Sequence, residues 1–410
     1  MDLNPRKSQP SRSAGGQASS QRHASIDFEP PKLFKVLRSF LIIGVAIAVA
    51  SVVYTLYWFM IATNLKDAVT NWISDRAEQG ITASFNQIEI SGFPTKFKVV
   101  LTEPKLQTLV LNAQPVRELG GEKWFWQGRR VVAEMKPWNF NKFNVDLSGS
   151  HILAYENQGG IYRFEGEVQQ LVMDATIFSD GWPEKLDLEI AGLNLTEVQT
   201  KAVFSTTAAS IVSRRLFPGE ARLKNPAKTP TFSLKAKLSG IQLPTFLQLP
   251  LGHNLKELKT EFKIIGNLAL SGSVQNLADW RDEGGIIEVG LLEGIYGKLK
   301  IHAAGTIALD KDLQPLIAIS AKFQGFFSSI NTLKKAGYIR SGDAAMAKLV
   351  LGVLSRRVGK GERSISLPLT LQDGQLSAGP VPLMAVQAID WGEDPPPPKE
   401  VQDGIQKLGQ

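Results

Sequence analysis

The 410-residue sequence contains no cysteine. Disulfides, thiolate metal sites and cysteine nucleophiles are thereby excluded, and the chain is compatible with an oxidising compartment. Histidine is also scarce. The four present, His23, His151, His253 and His302, are scattered, and none has a second histidine or cysteine at ligand spacing, so no metal centre is expected. Neither a Gly-x-Ser-x-Gly elbow nor a Ser-x-x-Lys pair occurs, which removes two common serine nucleophiles. In "VGKGERS" (Val358 to Ser364), Leu354 stands where a phosphate loop needs its first glycine and Gly361 follows the lysine, so the nucleotide-binding pattern fails. Gly290, Gly294 and Gly297 in "GLLEGIYG" do not make a dinucleotide fingerprint and suit bulges or bends in a sheet. Asp187 and Glu189 share the polar side of "KLDLEI" with Lys185, the pattern of a solvated strand face. An enzyme is disfavoured and no cofactor is expected, although catalytic groups can also converge from distant segments.

Charge is lopsided along the chain. The formal net charge is +7, but residues 1–39 hold seven basic residues (Arg6, Lys7, Arg12, Arg22, Lys32, Lys35, Arg38) against three acids (Asp2, Asp27, Glu29), which supplies +4 of it. The remaining +3 is too little for a phosphate-binding surface, so nucleic acid is not an expected partner. From Phe40 to Ala62 the sequence runs for 23 residues without a charge. At about 1.5 Å per residue such a helix crosses a hydrocarbon core of about 30 Å. The run is longer than the apolar region of a cleaved signal peptide and leaves through "YWFMIATN" rather than a small-x-small site, so an uncleaved anchor is expected. Phe40, Ile43, Val49, Val53, Trp58 and Ala62 mark its course. Lys32, Lys35 and Arg38 crowd its amino side, whereas the twenty residues beyond it hold two bases and three acids; the positive-inside rule puts the N-terminus in the cytoplasm. Leu65, Val69, Trp72 and Ile73 continue at helical spacing until Gly80.

The body of the chain alternates at period two. "TKFKVVL", "IYRFEGEV", "KLDLEI", "TFSLKAKL", "KLKIHA" and "SISLPLTL" each put apolar residues on one face only, the mark of half-buried strands. Asp180-Gly181, Asp373-Gly374 and "LDKDLQP" supply turns. "PLIAISAKF" is apolar on both faces and predicts a doubly covered strand. Apolar residues three and four apart predict helices in "KAVFSTTAASIVSRRLF", "SVQNLADWRD", "FFSSINTLKKAGYI" and "GDAAMAKLVLGVLSRRV". The fold class expected is α+β with β dominant: an N-terminal transmembrane helix, then a large curved antiparallel sheet with short covering helices. Its boundaries are a disordered basic arm (1–33), an anchor (34–63), a β-rich body (64–390) with room for a sub-domain split near 200–255, and a Pro-rich disordered tail (391–410).

The order of features resembles the proteobacterial family called domain of unknown function 2125. The anchor, "RAEQGITASFNQIEISGFPTKFKVVLTEPKL", the "WFWQG" that holds Trp124 and Trp126, and "KPWNFNKFNVDL" carry the resemblance in the first half. "GTIALDKDLQPLIAISAKFQGFFSSINTLKKAGYI" and "SLPLTLQDGQLSAGPVPL" carry it in the second, over roughly residues 55 to 390. Its most specific pieces are Ser91-Gly92-Phe93-Pro94 before Phe97, and Leu371 to Pro380 with Asp373, Gly374, Gly379 and Pro380. The resemblance implies no activity and no catalytic residue, so these positions are expected to be structural. It also implies a bacterial inner membrane, hence a periplasmic body. A membrane anchor before strand-strand-helix units is similar in architecture to AsmA-like and TamB-like envelope proteins, which implies contact with phospholipid or acyl chains. The leading expectation is a non-enzymatic lipid-contacting or envelope-biogenesis factor with an apolar β-groove. The alternative is an interaction scaffold for another envelope protein, and the third is a periplasmic hydrolase.

Overall fold

The computed structural model describes residues 32–78, 80–108, 123–157, 160–179, 182–216, 228–247, 249–268, 273–357, 363–379 and 381–391. The basic arm up to residue 31, the Asp180-Gly181 turn, Pro380 and the tail from 392 lie outside them. The chain divides into two compact units, residues 1–57 and 58–410.

One helix, α1 (Lys32–Glu78), contributes to both units. In the first, Phe40, Ile43, Val49 and Val53 are 53–68 % exposed, which in water leaves a large apolar area uncovered. Its polar side chains are internally satisfied: Ser51 Oγ donates to the Ile47 carbonyl and Thr55 Oγ1 to that of Ser51, each at 2.8 Å. A helix whose backbone and hydroxyls are closed on themselves suits hydrocarbon, and α1 is long and apolar enough to cross a membrane.

The second unit is a single antiparallel sheet. Its first strands are β1 (Thr82–Ser84), β2 (Gln87–Ser91), β3 (Phe97–Thr102), β4 (Lys105–Gln107), β5 (Lys123–Gly128), β6 (Arg130–Lys136), β7 (Asn139–Asp146) and β8 (Gly149–Asn157). Long strands follow: β9 (Gly160–Ile177), β10 (Pro183–Glu197), β11 (Val203–Arg215), β12 (Pro230–Gln242), β13 (Asn254–Ile265), β14 (Ile286–Tyr296), β15 (Leu299–Leu309) and β16 (Pro315–Gln324). The chain closes with β17 (Arg356–Arg357), β18 (Arg363–Gln372), β19 (Gln375–Ala378) and β20 (Val381–Ala385). From β9 to β16 each strand pairs with the next, and β16 then pairs with β18. Both ends of this meander fork. One edge of β9 is shared by β8, along residues 160–168, and β7, along 172–176. The first branch continues through β5 and β4 to β1, the second through β6 and β3 to β2. At the other end β18 carries β17 beside Arg363 and β19 beside Leu369 to Gln372, with β20 outermost.

The expected strands all form, but "KAVFSTTAASIVSRRLF" does not form a helix. Its described part is strand β11, paired on both edges. The reason lies in the sheet. Four strands shift their apolar phase by one residue along a common line, from Val168 to Leu171 in β9, Leu193 to Ile190 in β10, Thr206 to Ala209 in β11 and Ile241 to Leu238 in β12. In β11 that slip puts Phe204 and Ile211, seven residues apart, on one face as in a helix, while Val203, Thr206, Thr207, Ile211 and Val212 favour a strand. Gly192 and Gly240 sit on this line at φ +60° and +61°. A Cβ on Gly240 would stand 2.2 Å from Thr207 Oγ1, so the line requires a residue without a side chain.

The other three helices are short. In α2 (Val274–Asp282) Ser273 caps the first turn, and buried Trp280 donates to the Ile265 carbonyl at 2.8 Å. In α3 (Phe326–Lys335) Phe326 and Ile330 are buried, and α4 (Ser341–Leu354) buries only Ala344. They leave most of the sheet uncovered. β16, expected to be covered on both faces, is covered on one: Ala318, Ser320 and Lys322 are exposed.

Gly240→Ala is expected to lower unfolding stability by about 1–3 kcal/mol through left-handed strain and the Thr207 clash. A fall in the urea midpoint at constant slope checks it; an unchanged midpoint would show that the line tolerates a side chain.

Candidate functional site

Register turns the alternation of single strands into rows that cross the sheet. Leu188, Ile211, Ala236, Thr260, Leu292, Ala303, Ala321 and Leu367 stand opposite one another from β10 to β18. Ile190, Ala209, Leu238, Leu258, Gly294, Ile301, Phe323 and Ile365 form a parallel row. The first row runs on through Met173, Val145, Ala133 and Val99, so the apolar face crosses twelve strands, from β3 to β18. In a closed core the largest of these side chains would be the most buried. Here the reverse holds along the middle of the sheet: Ala209, Ala303 and Ala321 are buried, while Leu188, Ile211, Leu234, Leu258, Phe262 and Leu292 are only half-buried. The small residues are shaded by their neighbours, and nothing among the described residues caps the large ones fully.

The opposite face is polar in the same register. Glu189, Ser210, Lys237, Lys259, Glu293, His302, Lys322 and Ser366 form its row. Ser210 Oγ donates to Glu189 at 2.7 Å, and His302 Nδ1 lies 3.0 Å from Glu293 Oε1. Hydrogen bonding to His302 and the nearby Lys259 ammonium hold the Glu293 carboxyl below its usual range. Asp187 pairs with Lys185. These are exposed cross-strand pairs, each worth little. The buried carboxylate Glu197 is consumed by the β10–β11 turn, accepting from Thr200 N and, at 2.7 Å, from Thr200 Oγ1.

A second apolar site lies on the β8 branch. Trp124, Leu153, Tyr155, Phe164, Leu195, Phe204 and Pro244 line a cavity of about 340 Å³ with almost no polar surface. Tyr155 and Tyr162 stack at 5.3 Å between centroids, and Phe246 leans on Tyr162 at 5.2 Å. Of the two tryptophans singled out in the sequence, Trp124 therefore lines this cavity. Trp126 instead donates its Nε1–H to His151 Nδ1 at 3.2 Å, and His151 Nε2 lies 2.8 Å from the Leu147 carbonyl. Phe125, between them, is buried. The sequence missed this cavity because its members come from six segments, although the alternating "HILAYEN" contains two of them.

The remaining motif residues occupy turns. Gly92, at φ +102°, opens the β2–β3 loop, and a Cβ there would meet the Lys96 carbonyl oxygen at 2.7 Å. Phe93 is exposed beside it, and its bond to Pro94 is cis. Asp373 and Gly374, both at positive φ, form the two-residue β18–β19 turn that the sequence predicts. Gly379 donates to the Pro368 carbonyl at 2.8 Å. Trp58 is buried, stacked on Phe97 at 5.0 Å, and Ala62 is half-buried one turn further on. No three His, Asp or Glu side chains converge at metal-binding distance among the described residues.

A long apolar helix joined to an open, one-sided antiparallel sheet defines a β-dominant protein with a membrane-length N-terminal segment. The chain belongs to the family domain of unknown function 2125, described as an uncharacterized protein conserved in bacteria, which matches residues 58–387. No curated protein and no solved structure matches it, so the likeness to AsmA-like and TamB-like proteins is not among the similarities found.

His151 is buried and held neutral, its pKa pushed below 6.5 by desolvation against the opposing bond to Leu147. Its contribution is fully present above the unfolded value and lost as pH falls through it, because only the unfolded ring then gains a proton readily. The urea midpoint of the full chain should fall between pH 8 and about pH 5, and His151→Gln should shrink that difference. An equal fall in the variant would remove His151 as its source.

Proposed function

We propose that this is a membrane-anchored, non-enzymatic lipid-contacting protein of the bacterial envelope, its N-terminus cytoplasmic and its sheet on the periplasmic side of the inner membrane. The observation that carries the reading is the twelve-strand aliphatic face left half-open in a chain that also has a membrane-length helix. Such a face is costly to wet at about 25 cal/mol per Å², and acyl chains cover it without demanding hydrogen bonds. The aromatic cavity offers a second enclosed seat for an acyl segment. Lys32, Lys35 and Arg38 before the apolar run support the orientation.

Photo-crosslinking in living cells tests it. A benzophenone amino acid at Leu234 or Phe262, on the open face, should yield phospholipid adducts detected by mass; at Lys237 or Glu261, on the polar face, it should not. Protein adducts alone from Leu234 and Phe262 would overturn the reading. A half-open face also predicts that Phe262→Ala costs about 1–2 kcal/mol rather than the roughly 3–5 kcal/mol of an enclosed phenylalanine, as measured by urea unfolding.

A second reading, a scaffold for another envelope protein, is favoured by α4. Met346, Leu349, Val350 and Val353 recur at helical spacing and are 41–80 % exposed, a stripe suited to a groove on a partner.

A further inference from the structure

We infer that the edge of the sheet nearest Trp58 is a second membrane contact, a docking rim that sits in the headgroup layer of the bilayer crossed by α1. The rim is built by two loops. Pairing of Phe97 with Met135 sets the β2–β3 loop beside the β6–β7 turn. Because Lys142 pairs with Thr176, one residue before the end of β9, the β6–β7 hairpin reaches three residues beyond that pair, from Lys142 back to Asn139, or about 10 Å. At its tip Trp138 is 65 % exposed, with Phe140 on the strand below at 39 % and Phe93 on the neighbouring loop at 46 %. Tips that project into water seldom carry three large aromatic rings.

The membrane is singled out as occupant by continuity with the helix. Trp58 lies four residues before the uncharged run ends, where a span of about twenty residues started at Arg38 reaches the far interface. Its indole stacks on Phe97, meets Phe93 edge-on at 5.5 Å, and donates to the Lys96 carbonyl at 3.3 Å. Phe97 in turn stacks on Phe140 at 6.1 Å. The rim is thus fastened to the helix at the level where aromatic belts form. Charge agrees: Lys136 and Lys142 flank the tip, both are exposed, and neither forms an ion pair with a described residue, which suits anionic headgroups. On the next turn of this same sheet end, Trp182 is 47 % exposed.

The inference rests on α1 being an anchor but not on the open face binding acyl chains. The absence of cysteine makes the test direct. Single cysteines at Asn141, beside the tip, at Lys298, on the opposite end of the sheet, and at Val49, inside the helix, are labelled with an environment-sensitive fluorophore. Each full-length variant is reconstituted into phosphatidylethanolamine and phosphatidylglycerol vesicles that contain, as quencher, lipid spin-labelled in the headgroup region for Asn141 and Lys298 and deep in the acyl chain for Val49. Quenching is expected to be strong at Val49, several-fold stronger at Asn141 than at Lys298, and reduced at Asn141 by Trp138→Ala or by Lys136→Glu with Lys142→Glu. Trp138 and both lysines are exposed, so these variants keep the fold. Quenching at Val49 with Asn141 no different from Lys298 would overturn the docking rim and leave the anchor. No quenching at Val49 would overturn the anchor and the rim with it. Quenching at Asn141 that survives all the substitutions would show that the rim residues do not hold the contact.

Discussion

A β-sheet with one apolar face is incomplete until something covers that face, and everything else in this protein follows from how little of it the described residues cover. Domains solve the problem by stacking a second layer. Among the described residues the candidates for a second layer are three short helices, and they bury only a handful of side chains: Ala278 and Trp280 from α2, Phe326, Ser329 and Ile330 from α3, and Ala344 from α4. The fold is therefore held less by a thick core than by the ladder itself. Long antiparallel strands pair along both edges, and the polar face adds cross-strand pairs such as Lys235 with Glu261.

The two faces divide the labour. Residues such as Lys237, Lys259 and Lys322 keep one side wet, so the sheet has a defined inside and outside without a second sheet to impose them. The line through Gly192 and Gly240 then moves the apolar phase by one residue in four strands at once. It separates the open, mostly aliphatic field from the cavity in which Trp124, Tyr155, Phe164 and Phe204 gather. Two apolar environments of different character are thus written on one continuous set of strands.

Much of this was legible in the sequence. The membrane-length helix is visible as an uncharged run, the strands as period-two alternation, and the β18–β19 turn as Asp373-Gly374, because each is a local signal. What escaped was relational. β11 looked helical because a phase slip within one strand imitates a period near four, and the slip has meaning only beside β10 and β12. β16 looked doubly covered because Ala318 is apolar by type, yet it faces solvent where the helices do not reach. The aromatic cavity needs Trp124, Tyr155 and Phe204 from separate strands, and no spacing rule joins them. The openness of the aliphatic face is an absence of neighbours, which no single segment records.

The forks at the two ends of the meander have a further meaning. A long flat strand left at the margin of a sheet is a template on which another chain can add itself. By dividing, the sheet ends not on strands of ten or more residues but on β1, β2, β17 and β20, each of two to five residues. Those margins are too short to seed much pairing. A molecule that keeps a broad apolar surface open could polymerise through its edges as readily as it could take up a ligand, and the branching ends leave few places where such a fibre could begin.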